Sequence, residues 1–471
     1  MEKSRAHEPN FVPAALTLLT VVAVISIGLL VFEADLHLLM LGALIIVAVS
    51  ALTMARRSPR DIASAMIRGV WRARVALIIF ILIGALIASL IQAGTVATLI
   101  YWGVTLISPG WFLPTALILC CLMSIATGTA WGTAGTAGVV LIGIGSAMGL
   151  PLPIVAGVVV SGACFGDKMS PVSDTTNLAA MAAETDLYRH IRSMTYTTGP
   201  TFIIALAAFA LAGQQFHAHA LPAADLARLT DAIESTFHVG WLTTIPFVVL
   251  IGMGIARIKA VYTMAATTVA AVITAIWVQG VDLGPVLQAL WQGAPADTGV
   301  DSLDSLFSRG GVTSMWFTLV LSVQALALGG TLSDFGYMRS VIRGLLARVR
   351  RTGSLVTTTI ASALVGNLGM GEAYMSIVLG GQLFSTKYDE LQIDRAVLSR
   401  SLEEGATLTT PLIPWTTAGV FFATTLGVPT TDYLPFAWLN LLNPLMGALF
   451  AYLGWGLMRS ERETSPELAQ R

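Results

Sequence analysis

The chain has 471 residues, of which 55% are hydrophobic and 11% charged, against roughly 25% charged in ordinary soluble domains. Apolar stretches of about 20 residues, the length a helix needs to cross hydrocarbon, recur along nearly the whole chain, which excludes a water-soluble fold and leaves no room for a separate catalytic domain. The formal net charge is -1, so the overall balance indicates neither a nucleic-acid partner nor a basic membrane-surface role, and the informative charge is local.

The first ten residues, MEKSRAHEPN, carry two glutamates among basic residues. The apolar stretch after them is too long for a signal-peptide core, so it is expected to remain as a span. Spans are expected near 11–32, 36–55, 75–93, 112–126, 194–213, 238–256, 260–279, 313–332, 353–366 continuing into 373–380, and 434–458. Between 127 and 180, and again between 403 and 430, Gly, Pro, Thr, Ser and acids interrupt the apolar sequence, and continuous helices are not expected there. The fold class is an all-α integral membrane protein with about 10–12 transmembrane helices.

Arg56, Arg57, Arg60, Arg68, Arg72 and Arg74 fill the loop 56–74. The positive-inside bias places that loop, and with it the N-terminus, in the cytoplasm. A second basic loop with Arg339, Arg343, Arg348, Arg350 and Arg351 follows span 313–332 instead of preceding a span, so 75–93 and 313–332 run in opposite directions. The connections 214–237 and 280–312 have few basic residues and are expected outside, while Arg257 and Lys259 mark a short internal turn.

These oppositely running halves share sequence features in order. LIQAGTV at 90–96 aligns with LSDFGYM at 332–338, which sets Gly94 against Gly336. GTAWGTAG at 128–135 falls opposite GMGEAYMS at 369–376, and MSPVSDTT at 169–176 opposite TTPLIPWTT at 409–417. Three matches at a separation near 240 point to two inverted-topology repeats with discontinuous or re-entrant helices, an arrangement in which broken helices meet around a substrate at the membrane midplane. The chain then divides into scaffold helices and a basic cytoplasmic loop (1–74), repeat one (75–213), external loops and linking scaffold helices (214–312), repeat two (313–458) and a cytoplasmic tail (459–471).

Backbone that leaves helical geometry inside a bilayer exposes polar groups costing several kcal/mol each, so it persists only where protein, water or an ion satisfies it. GDKMSPVSDTTN at 166–177 gathers two aspartates, a lysine and hydroxyl and amide groups between apolar flanks. It reads as a re-entrant tip lining a cavity, with an ordinary external loop as the alternative. Sodium takes about five or six hard oxygen ligands, and Ser173, Asp174, Thr175, Thr176 and Asn177 supply them. A sodium ion is expected at Asp174, Asn177 and Thr176. Thr129 and Thr133 line the first glycine-rich break, where helix packing by small residues is the competing reading. The second half contributes Asn367, Glu372, Glu404, Thr409 and Thr416.

Intramembrane carboxylates are costly and by default functional, and Glu372 sits mid-span. Glu403 and Glu404 follow Arg400, so an ion pair at the membrane edge competes with proton handling; Asp334 is read as paired at the interface. Lys168 is read as a structural ion-pair residue that neutralises its neighbour Asp167. Because desolvation favours the neutral form of a carboxyl group, sodium and proton can contend for one carboxylate, and Asp174 and Glu372 are nominated for that competition. Such exchange needs no cofactor and no covalent chemistry. Cys120, Cys121 and Cys164 lack zinc spacing and read as small buried residues.

GTAWGTAGT at 128–136, FGDKMSPVSDTTNLA at 165–179 and RSLEEGATLTTPLIPWTTAGVFFATTLGVPT at 400–430 carry a resemblance that spans roughly 75 to 458. They resemble the NhaC-type sodium/proton antiporter family, within the wider ion-transporter group. The resemblance implies an inner-membrane antiporter of bacterial type, exchanging Na+ and H+, with Li+ as a further candidate, and it marks Asp167, Lys168, Ser170, Asp174, Thr175, Thr176, Asn177 and the 400–417 block as site residues. The chain departs from the family pattern at two places: Gly371-Glu372-Ala373-Tyr374 stands where the family reads Gly-Asp-Gln-Tyr, and Leu402-Glu403-Glu404-Gly405-Ala406-Thr407 where it reads Leu-Glu-Asp-Ala-Gly-Thr. The family also includes exchangers of organic acids such as malate and lactate.

Three other readings compete. A sodium- or proton-coupled carrier of a small carboxylate or amino acid would need a cationic anchor, for which Lys168 is the only well-placed lysine. An ion channel suits the glycines, but paired broken helices favour alternating access. An intramembrane enzyme has no support: His7, His37, His190, His217, His219 and His238 lie in or near loops, and no HExxH or GxSxG occurs at membrane depth. Besides the ions, the expected partners are membrane lipid and a second copy, since glycine-rich interfaces permit a homodimer.

Overall fold

A computed structural model describes residues 8–216 and 223–458. His7, His217, His219 and the 459–471 tail lie outside the described residues. Every regular element among the described residues is helical. In chain order these are α1 (Phe11–Leu30), α2 (Leu36–Thr53), α3 (Pro59–Arg72), α4 (Arg74–Gln92), α5 (Thr95–Leu106), α6 (Pro109–Thr127), α7 (Ala130–Thr133), α8 (Val139–Ala147), α9 (Leu152–Met169), α10 (Asp174–Ala182), α11 (Leu187–Gln214) and α12 (Ala223–Thr236). The second half holds α13 (Ile245–Ile255), α14 (Ala260–Trp277), α15 (Leu283–Gln292), α16 (Asp301–Phe307), α17 (Trp316–Asp334), α18 (Tyr337–Leu346), α19 (Thr352–Met370), α20 (Ala373–Glu390), α21 (Arg395–Gly405), α22 (Thr417–Leu426), α23 (Thr430–Tyr433) and α24 (Trp438–Leu453). Among the described residues nine helices are long and apolar enough to cross a membrane, or eleven if each of two bent pairs counts as one span.

Equivalent helices of the two halves differ by 242 or 243 in residue number: Arg74 opens α4 and Trp316 opens α17, Pro109 opens α6 and Thr352 opens α19, Asp174 opens α10 and Thr417 opens α22. The direction is inverted. Arg72, just ahead of α4, pairs at 2.7 Å with Asp334, the last residue of α17, whereas ahead of α17 the Gly311 amide donates to Gly84, mid-way along α4, at 2.8 Å. So α4 and α17 are antiparallel.

The correspondence reaches further forward than the expected repeats. Leu36–Thr53 and Ala260–Trp277 match at an offset of 224, and the two helices exchange places: α2 and α3 pack on α17, while α14 and α15 pack on α4. Small residues allow the closeness of the α3–α17 crossing, where a Cβ on Gly69 would stand 2.7 Å from the Gly330 Cα.

Several sequence expectations change. The stretch 127–180 was expected to lack continuous helices, yet Ala130–Ala147 and Leu152–Met169 are each 18 residues long. Their glycines and threonines are buried contact residues instead of breakers, with a π-helical stretch at Ala134–Gly138 taking up the irregularity. The basic loop 56–74 is largely the helix α3, capped by a reciprocal Ser58–Asp61 box; the connections 214–237 and 280–312 contain α12, α15 and α16. The three cysteines are free and buried.

Candidate functional site

The two halves break their helices in the same way. At the end of α6, Gly128 takes a left-handed conformation (φ +67°), Thr129 is extended, and α7 starts afresh. At the end of α19, Gly371 (φ +67°) and extended Glu372 precede α20. A β-carbon is disfavoured at such a φ. Each tip rests on the second break of its own half: a Cβ on Gly128 would stand 3.1 Å from the Ser173 amide, and the Gly371 carbonyl accepts from the Thr417 amide at 3.0 Å. Ser173 and Thr416 then cap α10 and α22 through Thr176 N–H and Gly419 N–H. Four new helix N-termini therefore begin at membrane depth, in a place favourable to carboxylates and anions.

The register differs from the sequence alignment by two or three residues. Gly128 matches Gly371, not Gly369, and Pro171 matches Pro414, not Pro411. A further equivalence is Ser124 donating to the Ala163 carbonyl at 2.6 Å, and Asn367 donating to that of Ala406 at 2.7 Å.

A cavity of about 1240 Å³ lies between the breaks. Its walls include Thr129, Asp167, Asp174, Thr175 and Glu372, and it is also lined by Arg72, Arg257, Lys259, Arg339 and Asp334, residues of the basic end. Asp174 is exposed within it and Glu372 is buried in its wall. Glu372 Oε2 accepts from Thr417 Oγ1 at 2.6 Å. Asp174 Oδ2 accepts from the hydroxyl of Tyr374 at 2.5 Å, so one tyrosine of the second half reaches the acid of the first. Asp167 Oδ1 accepts from Ser173 Oγ at 2.7 Å. Trp131 forms another part of the wall and stacks on Phe80 (5.1 Å) and Phe421 (5.4 Å), joining α4, α7 and α22.

The other expected site residues stand behind this surface. Thr176 Oγ1 donates to the Asp167 and Lys168 carbonyls (3.2 and 3.0 Å), and Asn177 Nδ2 to those of Pro171 and Ser173 (3.1 and 2.6 Å). Thr176 satisfies carbonyls that the end of α9 leaves open, and Asn177 ties the turn between α9 and α10 to α10. Thr133 Oγ1 donates to the Thr129 carbonyl. Asn367 joins Thr409 and Ser376 in a buried clamp, and Thr416 holds the Thr410 carbonyl. Of the set Asp174, Asn177 and Thr176, only Asp174 faces the cavity. Among the described residues no group of three His, Cys, Asp or Glu side chains is placed to hold a metal. A cation here would draw on one or two carboxylates together with hydroxyl and carbonyl oxygens.

Lys168 turns away from Asp167. Its ammonium donates to Asn443 Oδ1 at 2.8 Å and lies 4.0 Å from Glu404, because successive residues on a helix face different neighbours. Glu404 and Arg400 are 3.8 Å apart and fully buried within the protein. Asp334 is an interfacial partner, to Arg68 and Arg72. His190 is buried in the first turn of α11, just past the loop that precedes it. Tyr374 and Thr417 were not assigned partners by sequence; the spacing of two between Glu372 and Tyr374, just past a broken tip, was the available signal.

Crossing helices in inverted halves, broken where they meet at a cavity holding carboxylates of both, define a multi-pass membrane transporter. The chain belongs to the Na+/H+ antiporter family, whose model matches residues 162–455. It is 36% identical to the Na+/H+ antiporter NhaC of Alkalihalophilus pseudofirmus, over 93% of this chain and 95% of that one. It is 35% identical to the malate-2H+/Na+-lactate antiporter of Bacillus subtilis (84% and 85% covered) and 34% identical to the arginine/ornithine antiporter ArcD of Halobacterium salinarum (83% and 81%).

Proposed function

We propose that the protein exchanges Na+ for H+ across a bacterial cytoplasmic membrane by alternating access, with Asp174 and Glu372 as the carboxylates for which the two ions compete. The observation that carries this reading is that acids from opposite halves, each at the start of a broken helix, line one cavity, with Tyr374 tying the Asp174 carboxylate to the Glu372 tip. Thr129, Thr175 and Asp167 supply further oxygens at the same wall. Sodium binding would displace the proton from this oxygen set, and protonation would release sodium, so the loaded carrier reorients with one or the other. Arg72, Arg257, Lys259 and Arg339 along the cavity support a cytoplasmic position for that end, which makes the conformation inward-open and the N-terminus cytoplasmic. Li+ is the alternative cation; no cofactor is required.

Exchange of an organic acid is the weaker reading. The cavity would admit a small carboxylate, but Lys168 is directed elsewhere, and among the described residues the cations lining the cavity are those of the basic end. The test is sodium addition to everted vesicles holding an imposed pH gradient. Dissipation by sodium alone supports the proposal. Transport of malate by purified protein in liposomes, without any sodium-driven collapse of the gradient, overturns it.

A further inference from the structure

A second polar cluster lies outside the cavity, enclosed between α9, α11, α21 and α24. On α11, His190, Ser193, Thr197, Thr198 and Thr201 form a stripe at helical spacing, each fully buried. They face Ser399, Arg400 and Glu404 of α21, Asn443 of α24 and Lys168 of α9. Thr197 donates to Glu404 Oε1 at 2.5 Å, yet Lys168 and Arg400 approach that oxygen only to 4.0 and 3.8 Å, beyond direct hydrogen bonding. Arg400 Nε and Nη2, Glu404 Oε2, Ser193 Oγ and His190 Nε2 are buried without a hydrogen bond from the protein.

A buried polar group left without a hydrogen bond is costly, and polar contacts longer than 3.5 Å are the places where water bridges. Donors and acceptors occur together here, which suits water and suits neither a bare cation nor an anion. We propose that Lys168, Arg400 and Glu404 form a second, water-bridged proton site, loaded from the face where α11 begins and α24 ends instead of through the cavity. The inference rests on the proton-exchange reading above. Arg400 marks the outer end, since its Nη1 reaches the Gly456 carbonyl beyond α24 at 2.9 Å. Glu403 marks the inner end: its Oε2 accepts from Thr407 Oγ1 at 2.6 Å, Thr407 lines the cavity, and its Oε1 has no partner. A proton delivered by water binds Glu404, leaves again to water, and passes by way of Glu403 to the cavity wall. The titratable or charged groups around Glu404 are Lys168 on α9, His190 on α11, Tyr388 on α20, and Arg400 and Glu403 on α21.

The test is the pH profile of sodium-driven exchange by purified full-length protein in liposomes, comparing wild type with Glu404→Gln. The half-maximal pH is expected to move by about one unit or more, while the apparent sodium affinity at alkaline pH stays within about twofold. A profile that superimposes on wild type with only the rate scaled, or a sodium-affinity loss equal to that of Asp174→Asn, overturns the proposal. Thr197→Val, which removes only a hydroxyl donor to Glu404, provides the same comparison if Glu404→Gln fails to fold, and an unmoved profile there counts against the site. Infrared titration of wild-type protein supplies an independent readout: a carboxylic-acid carbonyl band altered by Thr197→Val places a titrating acid here even if sodium exchange itself is not found, and a spectrum unchanged by that substitution overturns it.

Discussion

Gly128 and Gly371 share one backbone conformation, φ +67°, and each is followed by an extended residue, at φ -149° for Thr129 and -150° for Glu372. The same hinge is thus built twice, on a shared Gly-x-Ala-aromatic pattern (Gly128 to Trp131 and Gly371 to Tyr374), but the acid is placed differently. In the first half it follows the second break, as Asp174; in the second half it follows the first break, as Glu372. Thr417 occupies the position equivalent to Asp174, and Thr129 that equivalent to Glu372. Each acid thus corresponds to a threonine at the equivalent position of the other half, but only Glu372 is bonded to its own half's threonine, Thr417, while Asp174 takes its hydroxyl from Tyr374.

Replacing Gly371 by Ala should lower stability by about 1–2 kcal/mol, the cost of a left-handed residue with a β-carbon. The added methyl also meets Ala325 Cβ at 3.0 Å. A thermal melt of the purified protein reads this; an unchanged melting temperature would show that the tip relaxes freely.

Asp174→Asn and Glu372→Gln should each reduce sodium-driven dissipation of a pH gradient by about 100-fold or more, since neither amide can exchange a proton. Normal amounts of folded protein in the membrane, checked alongside, separate this from misfolding. Activity retained in both variants would remove the carboxylates from the mechanism.

Tyr374→Phe deletes the hydroxyl donor to Asp174 and leaves the ring. Hydrogen bonds to charged groups contribute about 1.5–3 kcal/mol, so the apparent sodium affinity should change by about tenfold or more. Titration of exchange rate against sodium is the measurement, and an unchanged half-saturation would assign Tyr374 to packing alone.

Met375 lines the cavity. In a variant without the native cysteines, Met375→Cys should react with a membrane-impermeant maleimide in everted vesicles and not in right-side-out ones. The reverse pattern would place the basic end outside.

Much of the fold is legible in sequence because hydropathy and arginine placement report directly on the bilayer: the α1, α2, α4, α14 and α17 spans fall within a few residues of their expected positions. The helices between 130 and 169 were not legible, because Gly and Thr break a soluble helix but pack a membrane one. Composition marked the neighbourhood of the cavity, and Asp167, Asp174, Thr129, Thr175 and Glu372 do line it. It could not show that Lys168 faces Asn443 or that His190 is enclosed. Such directions depend on which helices become neighbours, and here those neighbours come from opposite ends of the chain.

The exchanged packing of α2 with α17 and α14 with α4 has a consequence for biosynthesis. When α4 leaves the ribosome, the helices that will cover it have not been made, whereas α17 emerges after its partner α2. Neither half can complete its contacts by itself, so a message truncated near residue 214 would yield a product with uncovered helix faces, a target for membrane proteolysis. Covering of α4 therefore waits for α14 and α15, which belong to the second half of the chain.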